Sequence, residues 1–251
     1  MLFFTSKASA QASVDWSGEK HYKDTNNCKR WLILIDGGIS IPFGALSVLE
    51  NDPGSLINLS NGGYAEKGTA YTILTKIPFK NSYSGFAISV GYIRNKFDVD
   101  DYASNQIQFE QSHSYVQSFT IYNASQSYYN NMAVMAGWIG TFPAHYPADK
   151  FSLDLKILAG LFFFYPPQIS YTYTETVSAG GYTNISTSTA SVKDKNTGGY
   201  ALEIGIGFNY SIKKNLFLNA NFGALVTTQI QTNYSADYVN ATVGVGYQLG
   251  K

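Results

Sequence analysis

Residues 200–249 read YALEIGIGFNYSIKKNLFLNANFGALVTTQIQTNYSADYVNATVGVGYQL and contain three stretches in which every second residue is apolar. Alternation with a period of two is typical of a β-strand with one apolar face. Each stretch lasts about 10 residues or more, which is the length of a tilted strand that crosses a bilayer. The apolar positions are Tyr200, Leu202, Ile204, Ile206, Phe208 and Tyr210, then Leu216, Leu218, Ala220, Phe222, Ala224 and Val226, then Val239, Ala241, Val243, Val245, Tyr247 and Leu249.

The opposite face of these strands distinguishes a membrane barrel from a soluble β-sandwich. It consists mostly of Gly, Asn, Thr and Ala, with few charged residues. A solvent-exposed sheet face normally carries many Lys and Glu residues, whereas the interior of a narrow barrel needs small side chains that fit together. The pattern therefore favours a transmembrane barrel.

Composition excludes several other classes of protein. The chain has 251 residues, a formal net charge of zero, 14% charged residues and 16% aromatic residues. Without net positive charge there is no basic field to attract nucleic acid, and we expect no nucleic-acid partner. No uncharged apolar run reaches the roughly 18 residues that a spanning helix needs, so only strands could carry this chain across a membrane.

The same alternation recurs upstream and brings the number of predicted strands to eight. The additional strands lie around residues 31–41, 71–79, 86–92, 131–138 and 151–163. Their connections alternate between short links at 80–84, 144–150 and 211–215 and long links at 43–67, 95–127 and 166–198, while the link near 231–236 is brief. Outer-membrane barrels have short periplasmic turns and long external loops.

The sequence thus predicts an all-β, eight-stranded antiparallel up-and-down transmembrane β-barrel, integral to the outer membrane, with both termini in the periplasm. We expect the 95–127 segment to continue its flanking strands beyond the membrane as a hairpin, because Ile107, Phe109, Phe119 and Ile121 keep a period of two.

The N-terminal region is predicted to lie outside the barrel. Residues 1–10 are interpreted as the remnant of a signal peptide, since Ala8-Ser9-Ala10 has the small-x-small form of a cleavage site. Residues 11–30 are polar and unperiodic and are predicted to form a periplasmic tail, which leaves 31–251 as the barrel. The single Cys28 cannot form an internal disulfide and is predicted to be an inert thiol.

Aromatic residues near the predicted strand ends fall into two groups, as interfacial Tyr, Trp and Phe do in membrane barrels. The predicted girdle comprises Tyr71, Tyr92, Tyr200 and Tyr238 at the outer ends and Trp31, Trp138, Tyr210 and Tyr247 at the periplasmic ends.

Five charged residues are predicted to point into the barrel. They are Asp36, Lys76, Asp154, Lys156 and Glu203. Charges in so narrow a space are costly unless they are paired, so we expect a buried ion network across the lumen. Because eight strands leave an interior only wide enough for side chains, and inward Leu34, Leu74, Leu158 and Phe162 fill more of it, we expect a closed lumen.

Three segments resemble the eight-stranded outer-membrane β-barrel family related to the transmembrane domain of outer-membrane protein A. They are GGISIPFG at 37–44, GYAEKG at 63–68 and GYQLG at 246–250, and the likeness covers residues 31–251. The resemblance implies contact with outer-membrane lipid and lipopolysaccharide, and insertion by the barrel-assembly machinery. In such barrels that machinery reads a terminal aromatic signal, which Tyr247 and Leu249 would carry here. The family implies fold and location more than activity.

The resemblance also allows barrel enzymes, namely lipid A deacylases, palmitoyltransferases and rim proteases, all of which need a histidine near a nucleophile or water. Of three histidines, His21 falls in the predicted tail and His145 in a predicted periplasmic turn. Only His113, near Glu110, could reach the outer surface. Since a polar loop histidine is usually solvated, we expect no catalysis. An enzyme acting on lipid A or peptides, or a narrow channel, is the alternative.

Cofactors and metals are not predicted. Asp98, Asp100 and Asp101 resemble half of a calcium loop, but no bidentate Glu follows at the required offset. The long links are rich in Tyr, Ser, Thr and Asn, which suits a structural or surface-interaction role with a possible protein or glycan partner.

Overall fold

A computed structural model describes residues 31–47, 63–80, 82–113, 115–143, 150–179, 181–193, 195–213, 215–228 and 235–249. In chain order the elements are β1 (Trp31–Phe43), a 3-10 turn (Gly44–Ser47), β2 (Ala65–Pro78), β3 (Ser84–Phe97), α1 (Val99–Gln111), β4 (Val116–Tyr122), β5 (Tyr128–Pro143), β6 (Phe151–Tyr165), β7 (Gln168–Ala179), β8 (Tyr182–Lys193), β9 (Thr197–Lys213), β10 (Leu216–Thr227) and β11 (Asp237–Leu249).

Eight of these strands close into an antiparallel barrel in the order β1-β11-β10-β9-β6-β5-β3-β2. The first and last strands complete the ring, with Trp31 opposite Leu249 and Asp36 opposite Gly244. Each barrel strand pairs with the barrel strands that precede and follow it in the chain. The prediction of an eight-stranded up-and-down barrel is therefore confirmed.

The outer wall of the barrel is apolar. Side chains alternate between buried and exposed along each strand, and the exposed ones are mainly aliphatic or aromatic. Every barrel strand contributes, for example through Ile35, Ile73, Val90, Val134, Ile157, Ile204, Phe222 and Val243. The alternation follows from the period of two in the sequence, which turns successive side chains to opposite faces of a strand.

A second sheet lies outside the barrel, with strand order β4-β7-β8. It is built from two long connections, because β4 belongs to the β3–β5 link whereas β7 and β8 belong to the β6–β9 link. The helix α1 packs against β4. Among the described residues, no helix is long and apolar enough to span a membrane.

The helix corrects the expectation that 95–127 forms a hairpin extending β3 and β5. Asp98 caps the helix by accepting a hydrogen bond from the Asp101 backbone N–H at 3.0 Å, and Asp100 and Asp101 lie in the first turn, where negative charge favours a helix. The buried residues Val99, Tyr102, Asn105, Gln106 and Phe109 follow helical spacing. The strand part of the segment, β4, pairs with β7 instead.

Several predictions concern residues outside those that the structure describes. They are the signal remnant at 1–10, the tail at 11–30 with His21 and Cys28, and the placement of His145 in a periplasmic turn.

Candidate functional site

The barrel interior contains a buried ion pair between β6 and β9. Lys156 Nζ lies 2.6 Å from Glu203 Oε1, and both side chains are almost fully buried. The other three predicted luminal charges, Asp36, Lys76 and Asp154, are buried as well. All five therefore point inward.

Lys76 and Asp154 are joined through a hydroxyl group rather than by direct contact. Lys76 Nζ donates to Thr141 Oγ1 at 2.5 Å and to the Tyr83 carbonyl at 2.8 Å. Thr141 Oγ1 in turn donates to Asp154 Oδ1 at 2.5 Å. The described luminal residues contain one direct ion pair, Lys156–Glu203, while Thr141 lies between Lys76 and Asp154.

Three asparagines extend this chain of hydrogen bonds across the lumen. Asn209 Nδ2 donates to Asp154 Oδ2 at 2.7 Å, and Asn219 Nδ2 donates to Asn209 Oδ1 at 2.6 Å. Asn221 Nδ2 then donates to Asn219 Oδ1 and, at 2.7 Å, to Asp36 Oδ2. The alternation in the sequence predicts that these asparagines lie on the polar strand faces, but it predicts no role for them. Their contacts depend on how far the barrel strands are shifted along one another.

Asp36 ends this chain with one carboxylate oxygen unused. Its Oδ1 is buried and has no hydrogen-bond partner among the described residues. Gly244 lies directly opposite on β11, and a Cβ atom there would clash with the Ile35 carbonyl oxygen and with Asp36 Oδ1. Gly205 stands in the same relation to Lys156, whose Cε would be 2.5 Å from an added Cβ. Glycines in the alternating strands therefore make room for luminal charges.

An aromatic plug fills the end of the barrel that carries the long connections. Its rings have centroids 5.5–6.2 Å apart and belong to Tyr64, Phe97, Tyr102, Tyr129, Phe164 and Tyr171. The Tyr129 hydroxyl donates to the Gly63 carbonyl, which ties the plug to the link before β2. Burial raises the pKa of Tyr171, which lies in the outer sheet.

Between the plug and the polar chain lies a cavity of about 20 Å³, lined in part by Ser89, Lys156, Glu203 and Asn240. That volume accommodates about one water molecule.

Most predicted girdle residues lie on the outer surface. Trp31, Tyr71, Tyr92, Trp138, Tyr200 and Tyr247 are exposed, and Tyr210 is half-buried against Phe151 with ring centroids 4.9 Å apart. Tyr238 corrects the prediction, because it is fully buried and its hydroxyl accepts a hydrogen bond from Asn131 Nδ2 at 2.6 Å. Its neighbour Val239 faces outward, so the period of two turns Tyr238 into the lumen.

The outer sheet presents a hydroxyl-rich face on the side away from α1, with Lys193 at one end of it. Aligned rows include Thr120, Thr174 and Thr187, and Tyr122, Thr172 and Thr189. Thr174 Oγ1 hydrogen-bonds with both the Tyr122 hydroxyl, at 2.8 Å, and Thr187 Oγ1, at 3.0 Å. Strands β4 and β8 are the two edges of this sheet in the described part of the chain, and β8 is exposed along nearly all its 12 residues.

His113 lies at the end of α1 in an aromatic setting. Its ring packs between Phe109 and Tyr115, and Nδ1 contacts the Phe109 carbonyl at 3.2 Å. The Glu110 carboxylate accepts a hydrogen bond from Gln106 Nε2 instead. In the described part of the chain, neither contact joins the His113 ring to the Glu110 carboxylate. The described residues also contain no group of three or more His, Cys, Asp or Glu side chains that could hold a metal ion.

Comparison with known proteins gives remote structural likeness only. No family model matches the chain, and no curated protein matches it. Neisserial surface protein A is similar in structure, with a TM-score of 0.46 and 13% identity over 87% of this chain and 97% of that one. The attachment invasion locus protein Ail of Yersinia pestis has a TM-score of 0.38 and 12% identity over 87% and 98% of the two chains.

The N-terminal β-barrel domain of Pseudomonas aeruginosa OprF has a TM-score of 0.35 and 13% identity over 87% and 97% of the two chains. The class of fold, a closed eight-stranded antiparallel barrel, follows from the strand pairing of this chain itself.

Proposed function

We propose that this protein is an integral outer-membrane β-barrel with a closed lumen, a structural or surface-interaction role and no catalysis. The observation that carries the proposal is the apolar outer wall, to which all eight barrel strands contribute exposed aliphatic or aromatic side chains. A soluble monomer rarely exposes a contiguous apolar patch larger than a few hundred Å². In a bilayer the same wall faces lipid, and a closed barrel leaves no backbone edge unpaired.

The proposed orientation places the long connections at the cell surface. The β1–β2, β3–β5 and β6–β9 links leave one end of the barrel, and the last two carry α1 and the outer sheet. The short β2–β3, β5–β6 and β9–β10 turns lie at the other end, together with the start of β1 and the end of β11. Short periplasmic turns and long external loops are the rule for such barrels, which supports periplasmic termini.

A surface-interaction role is supported by the exposed edge of β8. Protein sheet edges are usually protected by charges, proline or bulges, because an unpaired edge can add a strand from another chain. The sequence YTNISTSTASVK of β8 contains no proline, and its one charged residue is the terminal Lys193. An extended protein segment added to β8 is the partner that this edge favours. A glycan on the hydroxyl-rich face would be a different ligand for the same sheet.

The two alternatives receive less support. Among the described residues the His113 Nδ1 contacts the Phe109 carbonyl and the Glu110 carboxylate accepts from Gln106, an arrangement that disfavours an enzyme acting on lipid A or peptides. The aromatic plug and the small residual cavity disfavour a narrow channel.

Gel mobility of the protein from purified outer membranes tests the proposal. A folded barrel resists detergent at room temperature, so unboiled and boiled samples should migrate differently. An outer-membrane fraction that contains the protein in a heat-modifiable form supports the proposal, whereas recovery as a soluble periplasmic protein contradicts it.

A further inference from the structure

Strands β7 and β8 form a hairpin that continues the β6–β9 pair beyond the barrel. Phe164 lies opposite Thr197 in the barrel and Gln168 lies opposite Lys193 in the outer sheet, so the register is the same on both sides of the intervening links. From there the β7–β8 register runs without a bulge over all 12 residues of β8. In the described part of the chain β8 pairs with β7 alone, which leaves one long, regular sheet edge.

Backbone hydrogen bonds on the other side of β7 indicate which groups of β8 face this edge. The Ser178 N–H donates to the Tyr115 carbonyl at 2.9 Å, and the Ser170 carbonyl accepts from the Ser125 N–H at 2.9 Å. Even-numbered residues of β7 therefore turn their backbone groups away from β8, and odd-numbered residues bond to it. Because each odd residue of β7 lies opposite an even residue of β8, the odd residues of β8 present their N–H and C=O groups at the edge. They are Thr183, Ile185, Thr187, Thr189, Ser191 and Lys193.

This edge is complementary to a second copy of itself. Residues 182–192 contain no charged side chain and no proline, and nearly all of them are exposed. Two antiparallel edges bond through residues that turn their backbone groups outward, so odd residues of β8 must lie opposite odd residues of the copy. A twofold axis at Thr187 meets this condition. It places each Thr187 opposite the same residue of the copy, and the flanking pairs are Ile185 with Thr189 and Thr183 with Ser191.

The charge pattern of β8 favours a second copy as the occupant of the edge. Like charges directly opposite each other destabilise a strand pair, whereas pairs of Thr and Ser stabilise it. Around Thr187 two uncharged stretches of equal length meet, and Lys193 falls outside the paired residues. Proteins that avoid self-association place charges, proline or bulges on such an edge. Between residues 182 and 192 β8 has none of these.

We propose that β8 pairs antiparallel with β8 of a second copy of this chain, around a twofold axis at Thr187. The inference rests on the proposed function, because it names the partner for the surface-interaction role of the outer sheet. Pairing joins two three-stranded sheets into one sheet of six strands. Main-chain hydrogen bonds hold the two copies together, and the aligned side chains set the register.

Association of nanodiscs that each hold one copy of the full chain tests this pairing. The scaffold of each disc keeps the outer walls of two barrels apart and leaves the outer sheets accessible. Wild-type discs should dimerise with increasing concentration in sedimentation velocity. Thr187→Pro should weaken dimerisation at least about ten-fold, because it removes the edge N–H at the twofold axis from both copies. The matched control Thr187→Val keeps that N–H and should dimerise about as tightly as the wild type.

Disulfide formation in a Cys28→Ser background tests the register. Directly opposite residues that exchange hydrogen bonds in an antiparallel pair have Cα atoms about 5.5 Å apart, which is within the range of a disulfide. Thr187→Cys should therefore cross-link two copies on oxidation. Ile185→Cys should not cross-link with itself, but it should cross-link with Thr189→Cys when discs of the two variants are mixed.

Wild-type discs that stay single at every concentration overturn the assignment to a second copy and leave the edge to a strand of a different protein. Dimerisation of Thr187→Pro discs at the wild-type level, or equal weakening by Thr187→Val and Thr187→Pro, overturns main-chain pairing at this edge. Cross-linking of Ile185→Cys with itself as efficiently as Thr187→Cys overturns the twofold register. Heat-modifiable migration is recorded first, because a chain that does not insert refutes the membrane position rather than this contact.

Discussion

Lys156 and Glu203 form a direct ion pair in the barrel interior, with 2.6 Å between Nζ and Oε1. The two residues belong to neighbouring strands and are displaced along them, because Lys156 pairs with Gly205 and Glu203 with Leu158. Burial makes each charge depend on the other, since removal of one partner leaves an uncompensated buried charge.

Glu203→Gln should therefore destabilise the barrel by about 3 kcal/mol. The double variant Lys156→Met/Glu203→Met should recover most of this loss, because no unpaired charge remains. Urea unfolding of the protein in lipid vesicles measures both effects. A double variant that is no more stable than Glu203→Gln would contradict this account of the pair.

Unlike Glu203→Gln, the variant Asp36→Asn should not lower the stability of the barrel. Asp36 Oδ2 accepts a hydrogen bond from Asn221, which an asparagine oxygen can also accept, and Asp36 Oδ1 has no partner among the described residues. Neutralisation removes a buried charge without breaking a recorded contact, so stability should stay the same or increase. A loss as large as that of Glu203→Gln would show that Asp36 is paired.

Lys76→Ala should lower stability by about 3 kcal/mol, because Thr141 and Asp154 then lose the cation that completes their hydrogen-bonded chain. A double-mutant cycle with Thr141→Val tests the link. The combined loss should be smaller than the sum of the single losses. Additive losses would indicate that Thr141 does not connect the two charges.

Purified protein in planar bilayers should show no sustained porin-like conductance. The described interior leaves a cavity of about 20 Å³, and aromatic side chains close the end with the long connections. Stable openings that disappear when the lumen is blocked would contradict a closed barrel.

The side chains that share one face of a strand could be predicted from the sequence, because hydropathy alternates with a period of two. On this basis Asp36, Lys156 and Glu203 are predicted to point inward, and all three side chains are buried. The hydrogen bonds between luminal side chains could not be predicted in the same way. The Asn209–Asn219–Asn221 chain depends on the stagger between strands, which hydropathy alone does not determine.

Two errors had identifiable physical signals. Tyr238 precedes outward Val239, so strict parity would have placed it in the lumen rather than in the girdle. For α1, the pairs Ile107/Phe109 and Phe119/Ile121 suggested strands, although Asp98 followed by two further acids is a helix start signal. The pairing of β4 with β7 joins two separate links and had no local signal.

Adjacent positions on β6 allow the most direct test of the proposed lipid-facing wall and closed interior. Leu161 is 49% exposed on the outer wall, whereas Phe162 is fully buried in the lumen at nearly the same depth. In a background with Trp16, Trp31 and Trp138 replaced by Phe, single tryptophans are introduced as Leu161→Trp and Phe162→Trp, and their fluorescence is measured in vesicles of brominated lipid. Strong quenching at position 161 and little at 162 is the predicted result; equal quenching, or stronger quenching at 162, would contradict the account.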